Sequence, residues 1–219
     1  MKKFELTSEF ITNIFGTKLF RIKALVEFGD VEAGELGGYI EKEENLDHDG
    51  NAWVSGDAQV YDNAQVYDNA QVYGDAQVYG DAQVSGDARV SGDAQVYDNA
   101  QVYDNAQVYD NAQVYGDAQV SGDARVYGDA QVSGDARVSG DADYAYAHGF
   151  GSINRTTTFF RLKDGGVGVR CGCFYGTLQE FRDKVQKTHG EAKKAKEYLM
   201  LADLMELRFK EENEDGKNN

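Results

Sequence analysis

The chain has no proline, one tryptophan, two cysteines and three histidines in 219 residues. The cysteines, Cys171 and Cys173, lie one residue apart. In a strand they point to opposite faces, which argues against a mutual disulfide. No apolar run is long enough for a signal peptide or a membrane span. The expectation is a soluble protein of a reducing cytoplasm with no membrane partner. His48, His148 and His189 all lie outside residues 51–143, so the middle of the chain lacks a catalytic or zinc-binding histidine. No metal and no cofactor are expected.

What is present is a repeat. Fifteen valines fall six residues apart from Val54 to Val138, and sixteen alanines keep the same step from Ala52 to Ala142. The unit reads Ala-Gln/Arg-Val-Tyr/Ser followed by Gly-Asp or Asp-Asn. Alternation along a strand sends Ala and Val inward and Gln and Tyr outward. Gly, Asn and Asp tolerate the positive φ of a tight corner. A fixed short period is the mark of a solenoid, and this one has the hexapeptide form of a left-handed parallel β-helix, with about 18 residues in each three-sided coil. Residues 51–142 then make roughly five coils, about 24 Å long at the usual strand spacing. Each side buries only one Val and one Ala, so stability comes from repetition.

Before the regular run, Leu36, Ile40 and Leu46 keep its register, while Lys42 and His48 fall at Val positions. This predicts an irregular first coil over residues 34–50. Tyr144 and His148 mark the closing end, so the helix is expected over 34–148. Open coil ends expose unpaired backbone and need caps. Lys18–Val26 alternates as a strand, with a shorter partner around Phe4 and Leu6, giving a small β cap over 1–33. Residues 149–211 read as an α+β module. Thr156–Lys163 and Val167–Phe174 are strands about an Asp164-Gly165-Gly166 turn. Thr177 and Glu180 form a capping box at a helix that ends at His189-Gly190, and a second helix runs to about Lys210. Residues 212–219 are expected to be a disordered tail.

Laid on three faces, the outward positions are uneven. One face stacks Tyr61, Tyr79, Tyr97 and Tyr115 beside a row of glutamines. Such ladders stabilise parallel strands by themselves, and they also offer an amphipathic contact face to a partner or a second copy. Residues 51–143 carry 16 acidic and 3 basic side chains, a net −13, within a total of −16. An acidic rod repels nucleic acid and anionic membranes. The C-terminal module has a slight basic excess and a polar set that includes Asn154, Arg155, Thr156, Arg161, Arg170, Cys171, Cys173 and His189. Arg155, Arg161 and Arg170 are candidates to bind an anion, and Cys173 with His189 is a candidate polar pair. A cysteine and a histidine can form a nucleophilic pair. A buried strand cysteine is more often a small hydrophobe, and a histidine at a helix end more often caps carbonyls. No catalytic residue is assigned.

Phe20 to Val54, with Arg-Ile-Lys-Ala-Leu-Val-Glu-Phe-Gly-Asp-Val and Leu-Gly-Gly-Tyr-Ile-Glu-Lys-Glu-Glu-Asn-Leu, resembles a group of bacterial phage and prophage proteins. So do Thr156 to Arg161 and Cys171-Gly172-Cys173-Phe174. Proteins of that group place varying numbers of the hexapeptide between a similar head and tail. The resemblance implies a hexapeptide-repeat protein without a settled activity and transfers no site residues. The expected function is a non-enzymatic structural or binding protein of phage type, a rigid rod presenting a C-terminal recognition module to a protein partner, with self-association possible. It would act in the bacterial host cytoplasm, with virion association left open. Two alternatives stand beside it. One is a hexapeptide acyltransferase using acyl-CoA, opposed by the uninterrupted repeat and by His48 and His148 lying 100 residues apart. The other is an acidic mimic of nucleic acid that occupies a host DNA-binding protein.

Overall fold

A computed structural model describes residues 2–152 and 155–210. Asn154 and the expected tail over 212–219 lie outside the described residues. The chain divides into two units, residues 1–141 and 142–219.

The first unit opens with β1 (Phe4–Thr12), β2 (Lys18–Ala24) and β3 (Leu36–Ile40), followed by fifteen two-residue rungs, β4 (Trp53–Val54) to β18 (Arg137–Val138). The rungs stack into three parallel sheets, in which Gln59 and Val60 face Gln77 and Val78 one coil later. Two sheets hold five rungs each, and the third is eight-stranded, with β1, β2 and β3 preceding five rungs. The unit is therefore a three-sided β-solenoid. All fifteen repeat valines and the alanines from Ala52 to Ala136 are at most 1% exposed. Burying one valine is worth about 1.5–3 kcal/mol, so the narrow core gains its stability as a sum over coils. Ala142, the last alanine of the period, is exposed in a turn.

The corners obey a rule finer than tolerance of Gly, Asn and Asp. From Gly56 to Gly134 the first corner residue takes positive φ, and where it is not glycine it is always aspartate: Asp62, Asp68, Asp98, Asp104 and Asp110 have φ of 58–60°. A left-handed non-glycine residue costs about 1–2 kcal/mol. Each of these aspartates recovers a charge-assisted bond, because its Oδ2 accepts the N–H of the glycine 18 residues on, as Asp98 does from Gly116 at 3.3 Å and Asp110 from Gly128 at 3.1 Å. The following asparagine donates to the aspartate of the same upper corner, as Asn99 does to Asp117 at 2.9 Å. Every Asp-Asn corner thus sits beneath a Gly-Asp corner and clamps it.

The N-terminal end is closed by three donors, one per side. Along the run, a rung N–H donates to the Ala carbonyl of the next coil, as Gln59 does to Ala76 at 2.9 Å. At the first coil the carbonyls of Ala52, Ala58 and Ala64 accept from Lys3 Nζ, the Tyr39 N–H and Asn45 Nδ2, each at 2.9 Å. Lys3 is 2% exposed and its ammonium lies 4.8 Å from the Phe28 ring centre. Burial pushes its pKa down to about 8, against the opposing pull of Asp47 and Asp49. At the far end of the run the Arg125 N–H donates to the Asp141 carboxylate at 2.9 Å.

Two expectations for this region are corrected. The partner of β2 is the longer strand, since β1 spans nine residues. The register of the first coil is also displaced. Ile40 pairs with Val60 and Leu46 bridges to Val66, while Leu36 is 48% exposed. A strict 18-residue step would set Lys42 against Val60 and bury its charge. A two-residue shift preserves the inward parity, brings Ile40 into the core and sends Lys42 Nζ out to Asn63. Gly37 and Gly38 make the junction possible, because a Cβ on Gly38 would stand 2.7 Å from the Ala58 carbonyl oxygen.

The second unit is a four-stranded antiparallel sheet, β19 (Tyr144–Phe150), β20 (Arg155–Arg161), β21 (Val167–Cys171) and β22 (Phe174–Thr177), with α1 (Leu178–His189) and α2 (Lys193–Phe209). Residues 144–148, expected to close the solenoid, belong to β19, which pairs with β20. The return strand expected over Val167–Phe174 is broken by a turn at Gly172, whose φ is +59°. The Asp164 turn forms, its carboxylate accepting the Gly166 N–H at 2.9 Å. Thr177 and Glu180 make the capping box, which holds the Glu180 carboxyl below its usual range. One core joins Phe159, Val169 and Cys171 of the sheet to Phe181 and Val185 of α1 and Tyr198, Ala202 and Met205 of α2.

Candidate functional site

The tyrosine face is a true stack. Ring centres of Tyr61, Tyr79, Tyr97 and Tyr115 follow one another at 5.0, 5.0 and 4.8 Å, within 3° of parallel. Strand spacing imposes this, since in-register rungs repeat about every 4.8 Å. Tyr61 is not available to a partner, being 3% exposed and packed against Leu19 and Tyr39. Burial raises the pKa of Tyr61 and of Tyr79, with neighbouring tyrosine and aspartate adding to the effect. The open part of the face is Tyr79, Tyr97 and Tyr115, each half-buried by its stacked neighbours.

The three candidate arginines of the second unit do not converge. Arg155 and Arg161 stand at opposite ends of β20, roughly 20 Å apart at strand rise. Arg170 faces Thr158 and Tyr175 across the sheet, whereas the neighbouring Val169 and Cys171 join the core under the helices. Arg161 is structural: it lies 3.4 Å from Asp143, donates to the Phe209 carbonyl at 3.3 Å and sits over the Phe209 ring. Arg155 is exposed and packs on Gly172.

Cys173 is exposed in the turn, and Cys171 is buried, both as free thiols. The Thr157 hydroxyl donates to Cys171 Sγ at 3.2 Å. His189 does not meet Cys173 in any contact among the described residues. Its Nε2 lies 3.3 Å from Ser152 Oγ, and its ring is stacked near Tyr198 at 6.0 Å. Tyr198 accepts the Ser152 N–H at 2.8 Å, and Glu197 accepts that of Gly151 at 2.9 Å. The sequence reading missed this cluster, because 46 residues separate the partners. Glu197 is spent on backbone and on Lys193, and among the described residues no carboxylate orients His189, so these contacts tie Gly151 and Ser152 to the end of α1 and to α2. The other histidines also make structural contacts. His48 Nδ1 accepts the Lys3 N–H at 3.2 Å and stacks on Phe4, and His148 Nδ1 lies 2.9 Å from Thr156 Oγ1. Among the described residues no group of three His, Cys, Asp or Glu side chains is placed to hold a metal, and no helix is long and apolar enough to cross a membrane.

A further surface stands out on α2. Met200, Leu204 and Leu207 are 70%, 54% and 69% exposed, and their spacing of four and three residues sets them on one helix face. The opposite face, through Ala195, Tyr198, Ala202 and Met205, is buried. Arg182 of α1 pairs with Asp203 and, at 2.8 Å, with Glu206, fixing α2 from the side. The sequence reading missed this stripe, although the spacing of Met200, Leu204 and Leu207 could have shown a second apolar face on the same helix.

Three parallel sheets with an Ala/Val core define a β-solenoid repeat protein. The YdcK beta solenoid repeat family matches the repeat at residues 58–74, 64–80, 82–98, 94–110, 100–116, 118–132 and 130–142. No curated protein matches the chain.

Proposed function

We propose that this is a non-catalytic binding protein of phage or prophage type. A solenoid rod, left-handed as its hexapeptide pattern implies, spaces a C-terminal unit that captures a protein partner in the bacterial cytoplasm. The single observation that carries this reading is the α2 stripe. Three large apolar side chains more than half exposed on one helix face are costly to leave in water, and anchors at i, i+4 and i+7 are the form in which a helix enters an apolar groove. Lys193 and Lys196 precede the stripe and favour a groove with an acidic rim. The rod adds reach. Its coils repeat without an inserted loop, and each aspartate of its Asp-Asn corners holds one backbone N–H of the next coil, as Asp98 does that of Gly116.

The test is a cross-linked pull-down from bacterial lysate, read with solution mass, comparing the full chain with Met200→Glu, Leu204→Glu, Leu207→Glu combined. Loss of one specific captured protein in the variant, with unchanged melting, supports the reading. Equal capture by both chains overturns it. A wild-type dimer that the variant makes monomeric assigns the stripe to self-association instead.

A further inference from the structure

On the unbroken face of the solenoid every rung from Tyr61 to Tyr115 supplies a ring. On another face the outward residues run Tyr67, Ser85, Tyr103. The serine leaves out one ring, and a hollow of about 320 Å³ opens there. Its walls are Tyr67 and Tyr103, two rungs apart, or about 10 Å between ring positions. That is the room one further planar group needs to continue the stack. Ser85, 9% exposed, forms the floor, and Gln83 and Gln101 flank it. The Gln83 side-chain oxygen receives the Tyr67 hydroxyl at 3.4 Å. Asp68 and Asp104 line the rim, each engaged by one backbone N–H, from Gly86 at 3.1 Å and Gly122 at 3.2 Å.

We propose that the hollow between Tyr67 and Tyr103 is a slot for the guanidinium of an arginine presented by a partner protein. The slot wants a group that is flat, positive and rich in N–H donors. A guanidinium stacks on tyrosine faces and gains cation–π attraction from both walls. Its in-plane donors meet the Ser85 hydroxyl and the Gln83 amide oxygen. The two rim carboxylates supply the counter-charge, within a segment of net −13. A nucleotide would bring phosphates against that charge. A lysine ammonium is a compact point charge and does not fill a planar gap.

The molecule carries its own control. Tyr73, Ser91 and Tyr109 repeat the tyrosine–serine–tyrosine pattern on the next face, but Arg89 occupies the place that Gln83 holds in the slot. A fixed positive charge at that rung opposes a second cation, so the proposal concerns the Ser85 slot alone. It is independent of α2 and survives if the reading of that stripe fails.

The test is calorimetric titration of the full chain at low salt with a blocked Gly-Gly-Arg-Gly-Gly peptide, beside its lysine and citrulline analogues. Saturable binding of the arginine peptide is expected in the millimolar range or below, with both analogues at least about tenfold weaker. Ser85→Tyr restores the ring and the ladder, so it is expected to fold, to melt no lower and to lose binding by about tenfold or more. Ser91→Tyr leaves binding unchanged. Tyr103→Ala removes a wall, keeps the gap open and is expected to weaken binding comparably. No saturation by roughly 10 mM arginine peptide, equal binding by Ser85→Tyr, or equal binding of citrulline overturns the proposal.

Discussion

The tyrosine column of the solenoid and the helix-covered core of the C-terminal unit use aromatic rings in opposite ways. In the solenoid, Tyr61 to Tyr115 lie parallel within 3° at about the strand spacing. In the C-terminal unit, Phe181 meets Phe159 at 90° and Tyr198 at 82°. Backbone sets the first arrangement: once rungs are in register, identical side chains have nowhere else to stand. Packing of unlike elements sets the second, where the edge-to-face preference of rings acts freely. Order in the rod is therefore a property of one repeat. Order in the C-terminal unit belongs to a particular set of partners brought from distant positions.

The comparison is broken most severely by a charge in the rod. Val96→Asp places an unpaired carboxylate at a fully buried rung and is expected to cost about 3–5 kcal/mol. Leu204→Glu on the exposed α2 stripe is expected to stay within about 0.5 kcal/mol. Thermal unfolding followed by circular dichroism separates them. A smaller effect tests the corners. Asp98→Ala keeps the left-handed strain and loses the bond from Gly116, for an expected loss of about 2 kcal/mol. Asp98→Gly loses the same bond but relieves the strain, so it should be the milder change. If the two variants lose the same stability, the φ angle contributes nothing and the carboxylate alone governs the corner.

A further expected effect is that of pH. Tyr61 and Tyr79 have pKa values raised by burial. Their contribution is complete below the ordinary tyrosine pKa of about 10 and is lost as pH rises beyond it, because the unfolded chain ionises first. Lys3 acts with the opposite sign. Its pKa is lowered to about 8 from 10.5, so the unfolded state binds more protons between those values and stability rises there. Denaturant midpoints are expected to climb above pH 8 and fall in the alkaline range. Lys3→Met is expected to remove the climb alone.

Legibility follows the same division. The valine and alanine period made the solenoid, its inward and outward positions and its tyrosine column readable, since a strict repeat has only one way to bury its apolar face. The coil-to-coil clamps were present in the sequence too, as each Asp-Asn pair precedes a Gly-Asp pair by 18 residues, but that pattern appears only when corners are compared across coils. The first-coil shift was hidden, because Lys42 and Ile40 share parity and period alone cannot choose between them. In the C-terminal unit the capping box and hairpin turn were local and readable. The meeting of Ser152, His189 and Tyr198, and the separation of Arg155 from Arg161, depended on tertiary packing. Tyr61 illustrates the limit within the rod itself: its outward position was right, and the hairpin strand carrying Leu19 covers it.

The most direct measurement removes one whole coil, residues 106–123, from the full chain and compares partner capture with that of the α2 triple variant. This deletion keeps the three-sided phase and places Asp98 and Asp104 again beneath Gly-Asp corners. If the rod is a spacer and α2 the recognition face, the shortened chain captures the same protein as the full chain, and the triple variant captures none. A shortened chain that melts cooperatively yet loses its partner, while the triple variant retains it, would place recognition on the coil faces and contradict the account.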